Sequence, residues 1–443
     1  MTLAEVLLGG GAAMLVGRAT LPRGRGVRPP ALAEDLVLGL SLVVPLAFVW
    51  GTAGLPWGPV SMPVLALALA ALLRLGNRRR VEAHGRAAPA DWAGRAALAL
   101  LGACFLVAAW KWIRVPLWSW DHFAIWGMKA RRVVGDGALD LGFLKLAKFV
   151  TANPDYPIGL PLAWRFLSPS EPSAAQFRLC HALLAGALAA AVYGCARRLH
   201  ASTGVSALAG AVLCASPLFW DTEAVGLADL PLACVATAAL LLALEARDDS
   251  DFPAWTAGAA LGFLVWIKTE GVVLAALLAA VGMLLLPNSR GARKRRGALG
   301  AAWLASGLGA LAIRRFGLSP GRGFFEGDWS DRVAERARNA RPIFDAMLEN
   351  LSGAEWLGLW VVFAAAILAA FAFDARPARL LAVVVLGQLG FYAFVYFGTF
   401  MDPLEHVHAS FHRLAAALAP LALLTAAAAA GAVSARLDGK ALS

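Results

Sequence analysis

What most constrains this chain is a succession of apolar runs, each ~17–23 residues long, set apart by polar connections. A run of that length crosses a ~30 Å hydrocarbon core as an α-helix. Within a bilayer every backbone N–H and C=O must find its partner inside the protein, so only helices and closed barrels can span. Alanine and leucine dominate these runs, whereas a barrel would show short segments of alternating polarity. The runs fall at residues 2–17, 36–54, 60–76, 93–113, 174–196, 205–220, 229–245, 254–268, 270–286, 297–313, 354–373, 379–398 and 411–433. The fold class that follows is an all-α polytopic integral membrane protein with about 13 transmembrane helices. Apolar residues make up 60% of the chain, charged ones only 16%, and the mean hydropathy is +0.66. The first run, Leu3 to Val16, is followed by Arg18, Arg23, Arg25 and Arg28, the reverse of the charge order of a cleavable leader.

A net charge of +11 invites a nucleic-acid reading, but the positions of the charges argue otherwise. Arginines gather at 18–28, 78–80, 197–198, 290–296 and 376–379, on alternate connections. That is the pattern of cytoplasmic anchoring, with an affinity for anionic lipid as its by-product. No nucleic-acid partner is expected. With the basic loops inside, the N-terminus lies outside and the C-terminus inside. The connections 114–172, 220–229, 268–271, 314–353 and 398–410 then share the outer face. The five cysteines, Cys104, Cys180, Cys195, Cys214 and Cys234, all lie within apolar runs and lack metal-ligand spacing, so they read as small buried hydrophobes.

The chemistry-bearing residues fall on that outer face. Asp121 follows a span and sits among Trp118, Trp120 and Trp126; a carboxylate there can accept a proton from a hydroxyl or simply cap the span. A short surface helix is predicted from Phe123 to Val134, with Trp126 and Ala130 on one face and Lys129 and Arg132 pointing away. Asp155 and Tyr156 lie between Pro154 and Pro157, which restrict the backbone and suit a positioning or catalytic role. Lys268 and Glu270 occupy a turn too tight for a real loop, where they can bind an anionic head group or pair with each other. Asp221, Glu223 and Asp229 read as a solvated acidic turn. Asp402, Glu405, His406, His408, His412 and Arg413 crowd the mouth of the last span; the spacing does not define a metal site, and Arg413 suits a phosphate clamp. Residues 326–350 read as one amphipathic interfacial helix with Asp328 as its N-cap. No P-loop, dinucleotide turn, GxSxG or HExxH is present, which argues against nucleotide-driven chemistry and against a soluble nucleotide-sugar fold.

In order, Asp121 with Trp126 and Lys129-Ala130, Pro154-Asp155-Tyr156-Pro157 with Leu160-Pro161-Leu162, Ala228-Asp229-Leu230-Pro231-Leu232, Lys268-Thr269-Glu270-Gly271, and Arg413 with Pro420 make up a recognisable series. The series resembles the GT-C superfamily of polytopic membrane glycosyltransferases, in particular bacterial relatives of the protein O-mannosyltransferases and the lipid A aminoarabinose transferases. It covers roughly residues 93–433. The resemblance implies a GT-C-like core, extracytoplasmic loops with short interfacial helices, and transfer of a sugar from a polyprenyl-phosphate-linked donor to an acceptor hydroxyl with inversion. Asp121 takes the position of the family's catalytic base and Asp155 a supporting role. Lys129, Tyr156, Asp229, Lys268, Glu270 and Arg413 are the implied substrate and phosphate ligands. The family often carries two adjacent acids where this chain has Asp121-His122, one carboxylate fewer for a metal; the resemblance leaves room for a divalent cation without requiring one.

The organisation expected is an extra helical segment over 1–92, a catalytic core over 93–313 with its large outer loop at 114–172, an outer segment over 314–353, and C-terminal spans over 354–443. The implied partners are membrane lipid, the lipid-linked sugar, and a glycan, lipid or protein acceptor. The implied location is a bacterial inner membrane with the site facing the periplasm or exterior. Two other readings fit the same residues: a flippase for lipid-linked sugars, and an inactive scaffold of the same fold.

Overall fold

The computed structural model describes residues 2–21, 29–76, 91–114, 116–117, 119–146, 153, 156–221, 225–248, 252–287, 290–317 and 327–437. Helices account for nearly all of it. Four come first: α1 (Thr2–Thr20), α2 (Pro29–Thr52), α3 (Ser61–Gly76) and α4 (Trp92–Arg114). A π-helical turn at His122–Trp126 runs directly into α5 (Gly127–Arg132), and a small antiparallel hairpin pairs β1 (Val134–Gly135) with β2 (Ala138–Leu139). Beyond it lie α6 (Gly159–Leu167), α7 (Ala174–Arg198), α8 (Thr203–Ala215), α9 (Pro217–Trp220), α10 (Asp229–Asp248), α11 (Trp255–Ile267), α12 (Gly271–Leu285) and α13 (Arg290–Gly317). The chain ends in α14 (Trp329–Arg338), α15 (Arg341–Ser352), α16 (Leu359–Ala372), α17 (Arg376–Gly398) and α18 (Pro403–Leu437).

Every apolar run of the sequence is helical. Eight of the described helices are long and apolar enough to cross a membrane, and five shorter apolar ones accompany them. A helix such as α11, with 13 residues, is about 20 Å long against a ~30 Å core. Length therefore settles fewer spans than the sequence predicted.

α10 lies at the centre, its membrane window entirely buried, while α4 and α13 lie at the edge with little of theirs covered. Small residues allow the close approaches. Gly258 and Gly262 lie one turn apart on α11, and a Cβ on Gly258 would stand 2.1 Å from the Leu299 carbonyl oxygen of α13. In lipid, where burial of apolar surface drives little association, such backbone proximity is what packing relies on.

Two boundaries differ from the sequence reading. α18 begins at Pro403, well before the apolar run, because Asp402 caps it: its Oδ1 accepts from the N–H of Leu404 at 2.9 Å and of Glu405 at 3.0 Å. The single amphipathic helix predicted over 326–350 is two helices. The break falls at Asn339-Ala340, just before Pro342 enters the first turn of α15, where a missing N–H does no harm. Asp328 stands at the predicted cap position but makes no capping bond. Residue 326 lies outside the described residues.

Candidate active site

The directions of the helices bring one set of ends together. α10 starts at Asp229, the turn between α11 and α12 holds Lys268 to Glu270, α17 finishes past Tyr392 and Tyr396, and α18 starts before Arg413. These ends meet beneath the loop that carries Asp121.

Asp121 immediately precedes the π-helical turn. Its Oδ2 accepts a hydrogen bond from Nη1 of Arg413 at 2.8 Å, across 292 residues of sequence. Both side chains remain about a third open to solvent. Arg413 also feels the carboxylates of Asp229 and Asp221. Behind it, Lys268 Nζ donates to Asp229 Oδ1 at 2.8 Å and lies 3.4 Å from Glu270 Oε1. Asp229 and Lys268 are both buried. The solvated acidic turn read from the sequence is thus wrong for Asp229, which is 4% exposed and held in the interior by a cation from the next helical hairpin. Removing one partner of such a pair strands the other charge, which typically costs about 3–5 kcal/mol. Glu223 lies outside the described residues.

α17 lines the same end with two tyrosines a turn apart. Tyr392 is buried within electrostatic reach of Glu270 and Lys268. Tyr396 shares a hydrogen bond of 2.9 Å with Ser410 of α18 and stacks edge-on against His406 at 5.0 Å. Gln388, one turn earlier, donates to the Glu270 carbonyl at 3.4 Å. The sequence reading passed over all three. The signal was rarity: the chain has 4 tyrosines, and two of them stand on this one helix end. A small space bounded by Pro217, Leu218, Asp221, Asp229, His412, Arg413 and Ala416 lies between these groups. Its volume, about 10 Å³, holds about one water.

The loop overhead is stitched in place by its own residues. Lys129 is completely buried, together with Trp126 and Ala130, so it does not point away with Arg132 as predicted. The π-helical turn before it shifts the register of the faces by one residue relative to a regular α-helix. Its ammonium donates to the carbonyls of Asn153 at 2.7 Å and Tyr156 at 3.1 Å, closing the loop on itself. The Tyr156 ring packs on Trp126 with centroids 5.8 Å apart. Neither Lys129 nor Tyr156 makes a described contact with Asp121 or Arg413. Asp155 lies outside the described residues.

His122, next to Asp121, faces the other way. Its ring is fully buried against Phe177 at 4.7 Å, and Nδ1–H donates to the Gly226 carbonyl at 3.2 Å. Gly226 adopts φ +86°, and a Cβ there would stand 2.4 Å from His122 Nδ1. Only glycine fits that approach. Burial pushes the His122 imidazole down to about 4. His122 is therefore a neutral anchor joining the Asp121 loop to the turn that leads into Asp229.

The first three helices are built into the same arrangement. Glu5 of α1 accepts from Gln176 Nε2 at 2.9 Å and from the Ser170 hydroxyl. Gln176 completes the capping box of α7 with Ser173. Trp57 donates its backbone N–H to the Gly137 carbonyl at 2.6 Å and its indole N–H to the Arg165 carbonyl at 3.3 Å.

Fold and site together define a class: a polytopic helical membrane protein with a charged, partly buried cluster at one end of its bundle. Residues 160–313 match the family model described as dolichyl-phosphate-mannose-protein mannosyltransferase, a GT-C family domain. The match bears out the resemblance read from the sequence and supports a membrane glycosyltransferase. It takes in Leu160-Pro161-Leu162, Asp229, Lys268 and Glu270, and it stops short of Asp121 on one side and Arg413 on the other. No curated protein and no solved structure matches the chain.

Proposed function

We propose that this chain transfers a sugar from a polyprenyl-phosphate-linked donor to an acceptor hydroxyl, with Asp121 as the base and inversion at the anomeric carbon. The observation that carries the reading is the Asp121–Arg413 pair, standing beside Asp229, Lys268 and Glu270 at one end of the bundle. A carboxylate bound to a guanidinium is a poor base. A donor phosphate is a better partner for Arg413, since guanidinium binds phosphate through two parallel bonds. Donor binding then frees Asp121 for the proton of the acceptor hydroxyl.

As that proton moves to Asp121, the acceptor oxygen bonds to the anomeric carbon from the face opposite the phosphate. The carbon–phosphate oxygen bond breaks, and its electron pair leaves with the lipid phosphate, whose charge Arg413 stabilises in place. Lys268 holds Asp229 and Glu270 where they can orient the sugar. Lys129, occupied by carbonyls, positions the Asp121 loop. Among the described residues no three His, Cys, Asp or Glu side chains are grouped as a metal ion requires, and no step here runs through one.

The topology proposed with this mechanism has about 13 spans, with the site facing the periplasm or exterior of a bacterial inner membrane. The acceptor is a glycan, lipid or protein hydroxyl. The test is transfer of labelled sugar from a polyprenyl-phosphate donor in membranes with matched protein levels. Asp121→Asn is expected to lower kcat by ~100-fold or more with little change in donor KM. Arg413→Gln is expected to raise donor KM and lower kcat together. Undiminished turnover by Asp121→Asn removes it as base and turns attention to Asp155.

A further inference from the structure

The opposite end of the bundle holds a second built feature, outside the chemistry above. α12 runs from Gly271 beside the charged cluster to Leu285, and its 15 residues cover about 22 Å. At that far end Arg296 of α13 and Arg376 of α17 flank a cavity of about 410 Å³, which Met283 and Leu284 also line.

The two guanidiniums are pinned by their inner edges. Arg296 donates Nε to the Met283 carbonyl at 2.9 Å and Nη2 to the Leu286 carbonyl at 2.8 Å. Arg376 donates Nη2 to the Leu284 carbonyl at 2.9 Å. These are closing carbonyls of α12, which lack helical partners, so the arginines cap that helix while being fixed by it. Nη1 of Arg296 and Nη1 and Nε of Arg376 have no partner among the described residues. Among the described residues no acid lines the cavity. The acid nearest Arg376 in sequence, Asp374, is bound by Arg379. Two preorganised forks of one sign, with donors unspent, face one space.

We propose that this cavity binds the phosphate of an anionic phospholipid headgroup in the leaflet opposite the catalytic cluster. Free phosphate offers the same charge and oxygens. The lipid is favoured by the other half of the wall: Met283 and Leu284 are apolar, and Leu284 is 49% exposed, giving the acyl chains a surface to follow. A basic cavity between helix ends with an apolar flank is the form such headgroup sites take.

The experiment is native mass spectrometry of the full chain released from nanodiscs of equal phosphatidylglycerol and phosphatidylcholine, alongside thermal unfolding in detergent with each lipid added. Wild type is expected to retain phosphatidylglycerol and to unfold at a higher temperature with it. Arg296→Gln/Arg376→Gln is expected to lose that retention by on the order of tenfold or more. Arg296→Lys/Arg376→Lys, which keeps the charges, falls between and stands in should the first variant fail to fold. Arg293→Gln/Lys294→Gln removes two exposed cations from the same helix and is expected to behave as wild type. Equal retention of both lipids by wild type, equal loss in the control variant, or stabilisation by inorganic phosphate matching that by phosphatidylglycerol would each overturn the proposal.

Discussion

His122 shows how one side chain can fix a neighbour it never touches functionally. It is neutral in the fold because burial has driven its imidazole down to about 4, while an unfolded histidine titrates near 6.5. Below pH 6.5 the unfolded chain takes up a proton that the folded chain refuses, so stability is whole above 6.5 and declines as pH falls toward 4. At about 1.4 kcal/mol per pH unit, the loss over that window reaches about 3 kcal/mol. Thermal unfolding at pH 7 and pH 5 should therefore show a larger drop for wild type than for His122→Phe. Parallel drops in the two proteins would place the sensitive group elsewhere. The same ring sets the angle of the backbone that presents Asp121 to Arg413, so acid inactivation should track loosening of this contact.

The close seam between α11 and α13 belongs to the next scale. Gly258→Leu puts carbon where the Leu299 carbonyl stands, and the helices must part. The expected cost is about 1–3 kcal/mol or more, read as a lower unfolding temperature. Gly300→Leu, where a Cβ meets only the Met283 sulfur at 4.0 Å, should be tolerated; equal loss in both would mean that the seam is not what holds α13. The helices were legible in the sequence because apolar length is a strong, local signal. The pairing of Asp229 with Lys268 was not, since a charged residue at a span boundary reads alike whether it faces water or another helix. The true start of α18 was obscured by Glu405, His406 and His408, which look like loop but belong to a capped helix, Glu405 and His408 on its exposed face and His406 buried against Tyr396. The π-helical turn at His122–Trp126 left no pattern at all, and it shifts the register that brings Lys129 inward to the Asn153 and Tyr156 carbonyls.

Across the whole molecule, the surprise is the part that the family resemblance leaves out. Glu5 and Trp57 hold the far side of the loop that carries Asp121, at Ser170, Gln176, Gly137 and Arg165. α1 and α2 pack on α6 and α7, and α2 also on α10 and α11. Deleting residues 1–90 should leave later spans able to insert yet abolish transfer and open the 119–172 loop to protease. Full transfer by the shortened chain would reduce those helices to an appendage.

The Asp121–Arg413 contact also has a meaning in time. The acid emerges from the ribosome 292 residues ahead of its counter-ion. Until α18 enters the membrane, Asp121 lacks the Arg413 guanidinium and α10 lacks one of its neighbours. With Arg413 as the proposed donor clamp, a nascent chain can neither capture a lipid-linked sugar nor squander it on water, and a message cut short before residue 403 yields a bundle that holds Asp121 without Arg413.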